Sequence, residues 1–254
     1  MDRSKTAQGS NRSMDSRKST RPNATAGVVR EGSGVRATGE GVRSDFVMGW
    51  DHAKQVTRRA ITREDLERMG MPEVLWRTKV TGVPASVQQV ISNYLFKIDE
   101  YVSRGAGLFL TGPSGVGKSG IASLIAKEAR ARGKTVFFTP VFQLRDAMKA
   151  KVLFDEEQSY MQRCRAVDVL VLDNLQPDDL AGFDARSIEE LVTYRKARQK
   201  TTVVTSRATI SEIRPKSERF LEATLGAMVY LPVSGPDLNL ESHTALSKEV
   251  LGVK

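Results

Sequence analysis

The stretch Gly112-Pro113-Ser114-Gly115-Val116-Gly117-Lys118-Ser119 satisfies the pattern G-x-x-x-x-G-K-[ST] at every fixed position. Each residue type answers a need of a bound polyphosphate. Glycines let backbone N–H groups turn inward around a β-phosphate, where a Cβ would obstruct the approach. A helix opening near Lys118 aims the positive end of its dipole at the same anion. The lysine reaches the β- and γ-phosphates, and the Ser119 hydroxyl ligates Mg2+. The expected ligand is ATP with Mg2+.

Such a loop works with a carboxylate at the end of a neighbouring strand, which holds the metal through water. Asp173 ends the apolar run Val169 to Leu172, 55 residues after Lys118, and fits that Walker B place. Hydrolysis also needs a group that orients water and takes its proton. Asn174 follows the acid, and an amide can hold a water without accepting its proton. Turnover is therefore expected to be slow unless Asp178 or Asp179 substitutes, and both equally suit a solvated turn after Pro177. Ser206-Arg207, at the end of the run Thr202 to Thr205, is expected near the γ-phosphate. Arg219, within Glu218-Arg219-Phe220-Leu221, fits either a surface arginine or one that reaches a neighbouring subunit's γ-phosphate. Lys118 and Asp173 are the expected catalytic residues.

The elements that must position these groups alternate. Leu108 to Leu110, Thr135 to Phe138, Val169 to Leu172 and Thr202 to Thr205 read as short buried strands. Gly120 to Ala131, Phe142 to Lys151 and Asp184 to Arg198 read as helices. That order predicts an α/β three-layer P-loop NTPase with a parallel central sheet covered on both faces. Upstream, Thr62 is expected to cap a helix with acids in its first turn, and Ser86 to cap a second. Val87, Val90, Ile91, Tyr94, Leu95, Ile98, Tyr101 and Val102 form a core-facing stripe at spacings of three and four, ended by Gly105.

The chain has 254 residues and a formal charge of +9. Residues 1–50 hold nine Lys/Arg against five Asp/Glu, with few large apolar side chains before Phe46. Residues 1–45 are expected to form a disordered basic tail, because too little apolar surface is available to offset ordering. Phe46, Val47, Met48 and Trp50 suit either docking on the domain or anchoring a partner. The expected organisation is a tail at 1–45, a lead-in at 46–79, a core at 80–233 and a C-terminal tail at 234–254. Cys164 is the single cysteine, which excludes an internal disulfide and a cysteine-based zinc site. It is expected to be inert and half-buried. No apolar stretch is long enough for a membrane span, and a cytoplasmic setting is expected.

The segments "GLFLTGPSGVGKS", "KTVFFTPVFQLRDAM", "VDVLVLDNL", "RKARQKTTVVTSRATISEI" and "SERFLEA", in that order, resemble the AAA+ helicase loaders of the DnaC type and their IstB relatives. "MGMPEVLWRT" resembles the lead-in before their ATPase core, and the likeness spans roughly residues 70–232. The resemblance implies that Lys118, Ser119 and Asp173 are the Walker residues and Arg219 the arginine finger. Ser206-Arg207 falls at the sensor 1 asparagine, and no sensor 2 arginine stands between Pro232 and Asn239. It further implies a homo-oligomer that binds a hexameric replicative DNA helicase through residues before about 80 and delivers it to single-stranded DNA. The Phe46 to Trp50 cluster and the Thr62 helix become candidates for that contact. Arg145, Lys149, Lys151, Arg163 and Arg165 become candidates for the DNA backbone. An IstB-like transposition helper, binding duplex DNA and a transposase, is the alternative. The remaining classes are a small-molecule kinase, which the Lys118–Asp173 interval and Arg219 fit less well, and a non-hydrolysing adaptor.

Overall fold

Five runs rich in β-branched and aliphatic residues become strands: β1 (Gly107–Thr111), β2 (Val136–Pro140), β3 (Val169–Leu175), β4 (Thr201–Ser206) and β5 (Met228–Pro232). A computed structural model describes residues 58–80, 82–149, 154–181 and 183–238. The expected basic tail, the Phe46 to Trp50 cluster, Lys151 and residues 239–254 lie outside them. The strands form one sheet in the order β2-β3-β4-β1-β5, with every adjacent pair parallel. Parallel strands need crossovers, and helices supply them on both faces.

The helices are α1 (Arg63–Arg68), α2 (Ala85–Phe96), α3 (Ile98–Ser103), α4 (Lys118–Ala131), α5 (Val141–Lys149), α6 (Phe154–Ala166), α7 (Phe183–Ala197), α8 (Ile210–Ile213) and α9 (Glu218–Leu225). Alternation along each strand divides the core into two layers. Leu108, Leu110, Phe138, Val171 and Val203 pack with residues of α1, α2, α3 and α4. Phe109, Phe137, Leu170, Leu172 and Val204 pack with α5, α6, α7 and α9 on the other side. The expected α/β sandwich is the observed one.

Three local expectations change. Helix α2 opens at Ala85 behind Pro84, so Ser86 lies inside it and caps nothing. Proline's fixed φ already sets the entry geometry there. The apolar stripe is not one helix, because Lys97 leaves helical geometry between α2 and α3. Its residues Val87, Ile91, Tyr94, Leu95, Ile98 and Val102 are buried, whereas Val90 is exposed. Helix α6 and strand β5 were not expected; β5 is a five-residue edge strand with exposed positions, which blurs its pattern.

The lead-in before α2 is tied to the core by polar groups. Thr62 caps α1 in a reciprocal box with Asp65. Burial opposes ionisation of Asp65, yet hydrogen bonds from Arg59, Thr62 and Arg130 outweigh it and hold the carboxyl well below the usual range. Phe138 donates its N–H to the Met69 carbonyl at 2.7 Å, so the lead-in covers part of the outer edge of β2. Lys127 of α4, 3% exposed, donates to the carbonyls of Leu75 and Trp76. These contacts place residues 74–80 beside the start of α4.

Arg195 of α7 is fully buried. Its guanidinium fans out to Thr202 Oγ1 and to the carbonyls of Cys164, Val167 and Thr201, joining the end of α6 to the starts of β3 and β4. Burial lowers its pKa to about 10. Cys164 is fully buried rather than half-buried, and burial pushes its thiol up to about 12, which keeps it inert.

Candidate nucleotide-binding site

Strand β1 runs into the loop Gly112 to Gly117, and α4 leaves it at Lys118. The loop therefore sits at the carboxyl end of the sheet, where the connection from β1 crosses to β2 on one side and that from β4 crosses to β5 on the other, the place where ligands bind in open α/β folds. Its tightness is written in two glycines. At Gly112 (φ +141°) a Cβ would come within 2.0 Å of the Val233 carbonyl oxygen. At Gly115 (φ +78°) it would meet Asp237 Oδ1 at 1.8 Å. At Gly112 neither backbone conformation nor space admits a side chain, and at Gly115 the left-handed backbone conformation disfavours one. The segment after β5 lies along this loop: Val233 donates to the Thr111 carbonyl at 2.7 Å and Leu238 to that of Gly115 at 3.1 Å.

Lys118 is buried, with its ammonium donating to the carbonyls of Gly112 and Pro113 at 2.7 and 2.5 Å. Burial, and after it the Arg207 charge, lowers its pKa, while Asp173 acts in the opposite sense. Ser119 donates its hydroxyl to Asp173 Oδ1 at 2.8 Å. Two residues 54 apart in sequence thus meet at one point.

A third group completes that point. Thr205 of β4 donates to the same Asp173 Oδ1 at 2.6 Å and accepts the Asn174 N–H at 2.8 Å. This contact depends on a bulge: Leu172 pairs with Val204 and Leu175 with Ser206, so Asp173 and Asn174 face Thr205 alone. Asn174 takes φ +63°, a conformation that asparagine tolerates better than most residues. Its side-chain oxygen accepts from Gln176 Nε2 at 2.8 Å.

The expected placement of Ser206 is corrected. Side chains alternate along β4, so Thr205 faces the acid and Ser206 turns away. There it donates to the Leu175 carbonyl at 2.8 Å and accepts the Ala208 N–H. Arg207 does line the site. Neither Asp178 nor Asp179 does. Asp179 is buried, caps the turn Pro177–Leu180 and pairs with Arg145 at 2.5 Å, while Asp178 stands 3.6 Å from Lys216. Arg219, on α9, is exposed and makes no ion pair or hydrogen bond among the described residues. It is not brought to this chain's own loop.

A cavity of about 640 Å³ opens over the loop. Lys118, Ser119, Asp173, Asn174, Thr205 and Arg207 line its polar end. Val74, Leu75, Val80 and Leu238 give it apolar walls, and Lys79 and Phe142 also border it. The lead-in's part in this wall was missed from sequence, since only Lys127 and the core contacts carry residues 74–80 there. The proposed DNA-facing arginines are engaged elsewhere: Arg163 lies 3.9 Å over Phe137 and donates to the Arg68 carbonyl, and Arg165 lies 5.3 Å over Tyr194. The Lys149 side chain lies outside the described residues. Among the described residues no cluster of three His, Cys, Asp or Glu forms, and no helix is long and apolar enough to cross a membrane.

The sequence model of the IstB-like ATP binding protein family matches residues 47–226, more than two thirds of the chain. The chain belongs to that family. A search of curated proteins found no match. Among solved structures, this IstB-like chain is similar in fold to the DnaC helicase loader, with a TM-score of 0.54, 19% identity, and 64% of this chain against 100% of that one. DnaI gives a TM-score of 0.54 at 21% identity, over 66% of this chain and 94% of that one. AMPPCP-bound DnaA from Aquifex aeolicus gives 0.53 at 17% identity, over 69% of this chain and 54% of that one. The phosphate loop on a parallel five-stranded sheet is thus a P-loop NTPase-like α/β fold, shared with these structures.

Proposed function

We propose that this protein binds ATP with Mg2+ on the Gly112–Ser119 loop, and that the bound state governs its hold on a hexameric replicative DNA helicase that it helps place on single-stranded DNA. The observation that carries the nucleotide reading is the meeting of Ser119, Thr205 and Asp173 beside the cavity. A carboxylate and two hydroxyls form an oxygen donor set, which suits a hard divalent cation. Ser119 and Asp173 would hold Mg2+, whose contribution when bound is to neutralise charge on the phosphate oxygens. Lys118 exchanges its two carbonyl contacts for the phosphates. The apolar wall of Val74, Leu75, Val80 and Leu238 receives the base.

Hydrolysis in this reading is weak. Among the described cavity-lining residues Asp173 is the sole carboxylate, and it is committed to the metal. Asn174 holds water without accepting its proton. Arg219, exposed on α9, acts on the nucleotide of a neighbouring subunit in a homo-oligomer. Partner contact falls to the lead-in, where α1 keeps Arg63, Glu64, Glu67 and Arg68 on its outer side. The family match itself favours a second reading, a transposition helper that binds duplex DNA and a transposase.

The test is capture of the cognate replicative helicase by the full chain with ATP, with ADP and without nucleotide, alongside Lys118→Ala. Nucleotide-dependent capture of the helicase, lost in Lys118→Ala, is expected. Capture of a transposase in its place selects the second reading. Retention of full Mg-ATP affinity by Lys118→Ala refutes the site.

A further inference from the structure

Helix α4 carries a lysine at a position where the core would accept an apolar residue. Lys127 is 3% exposed, and its ammonium donates to the carbonyls of Leu75 and Trp76 at 3.0 and 3.2 Å. No carboxylate pairs with it among the described residues, and burial lowers its pKa. A buried charge held only by neutral acceptors is unfavourable as core filling. What it secures is the end of the turn Glu73–Leu75, where helical carbonyls need partners from outside.

That turn belongs to the wall of the nucleotide cavity. Leu75 and Val80 line the cavity, whereas Lys127 stands outside it, about two helical turns along α4 from Gly120. At Gly120 the wall meets the helix again: a Cβ there would lie 3.1 Å from Thr78 Cγ2 and 3.4 Å from Val80 Cγ2. Trp76 Nε1 donates to the Met71 carbonyl at 2.8 Å, and the Arg63 guanidinium lies 5.3 Å over its ring. Residues 71–80 are thus one folded unit seated on α4. The phosphate end is built from other elements. The loop after β1 carries Lys118 and Ser119, and β3 and β4 carry Asp173 and Thr205, with no contact routed through the lead-in.

We propose that Lys127 is a positioning residue for the base: it holds the Leu75–Val80 wall against α4, so that the base half of the site depends on a side chain outside the cavity and the phosphate half does not. This rests on the nucleotide reading above. The two halves then respond separately to one substitution, which a lysine serving stability alone would not produce.

The test compares binding of a non-hydrolysable Mg-ATP analogue and of magnesium tripolyphosphate to the full chain and to Lys127→Met, Lys127→Arg and Lys118→Ala. Lys127→Met removes the ammonium and keeps most of the side chain's bulk. It is expected to weaken the analogue at least about fivefold, through partial loss of the apolar contact, and to hold tripolyphosphate within about twofold. Lys127→Arg still donates to the carbonyls and should recover part of the loss. Lys118→Ala should lose both ligands. A second measurement needs no variant of Lys127. With Trp50→Phe, Trp76 is the sole remaining tryptophan of the full chain. The analogue should shift its emission and shield it from a neutral quencher, and tripolyphosphate should do neither. Equal weakening of both ligands in Lys127→Met, unchanged affinity for the analogue, or Trp76 emission indifferent to the analogue overturns the assignment. So does a wild type that holds the analogue but not tripolyphosphate, since its phosphate half would not stand alone. A wild type that binds neither ligand overturns the nucleotide reading as a whole.

Discussion

Replacing Thr205 by valine isolates the one hydroxyl that joins the metal acid to the bulge. Valine has nearly the same shape, so packing is kept and no cavity opens. Two hydrogen bonds disappear: the 2.6 Å donation to Asp173 and the 2.8 Å acceptance from the Asn174 N–H. Thr205 is 1% exposed, so no water replaces the hydroxyl at its own position. A net hydrogen bond to a charged group contributes roughly 1.5–3 kcal/mol, and a stranded N–H costs roughly 1–3 kcal/mol. Asp173 keeps Ser119, and Asn174 is exposed, so the lower ends of both ranges apply and the expected loss is about 2.5 kcal/mol. In a domain of this size that is a fall of about 5–10 °C in Tm. Urea unfolding of Thr205→Val and Thr205→Ser reads the stability. Titration with a Mg-ATP analogue reads the site. The valine variant should bind several-fold more weakly, because Asp173 and Asn174 lose the group that fixes the bulge. The serine variant, which keeps the hydroxyl, should bind like wild type and lose about 1 kcal/mol for its missing methyl. Stability of the valine variant within about 0.5 kcal/mol of wild type would show that the hydroxyl bridges nothing, and equal affinity loss in both variants would show that the methyl matters instead.

Two further outcomes concern groups outside the phosphate site. Lys127 has a pKa lowered by burial from 10.5 to about 8, so between those values the unfolded chain binds more protons than the folded one. Its contribution to stability should therefore rise with pH from about 8 to 10.5, by at most about 1.4 kcal/mol per unit. The neutral amine still has N–H groups for the Leu75 and Trp76 carbonyls. The difference in Tm between wild type and Lys127→Met measured across that window checks this, and a difference that stays flat contradicts it. Arg195→Leu should cost at least about 3 kcal/mol by stranding several buried acceptors. Arg195→Lys should fare little better, since an ammonium cannot span Thr202, Cys164, Val167 and Thr201 together; wild-type stability in that variant would reject the fan of contacts as the cause.

The phosphate loop is legible in the amino-acid sequence because its chemistry is local. Eight consecutive residues carry the glycines, lysine and hydroxyl that a polyphosphate needs, and a strand and a helix flank them with clear periodicity. Asp173 is legible for a related reason: an acid that ends a wholly apolar run lies at a strand end, and a parallel sheet brings strand ends together. Thr205 is not, because its partner at Asp173 is set by a bulge, and register between strands is a tertiary property. Asn174 looks like a missing base in sequence; its positive φ shows a second reason for that residue type, visible only once the backbone is placed. The lead-in wall, the Asp65 and Lys127 ties and the buried Arg195 are likewise long-range. Residue type and periodicity determined the fold class and the loop, because both act over a few neighbours. Which polar groups meet across the sheet was decided by tertiary packing, because it depends on register and burial that no short window contains.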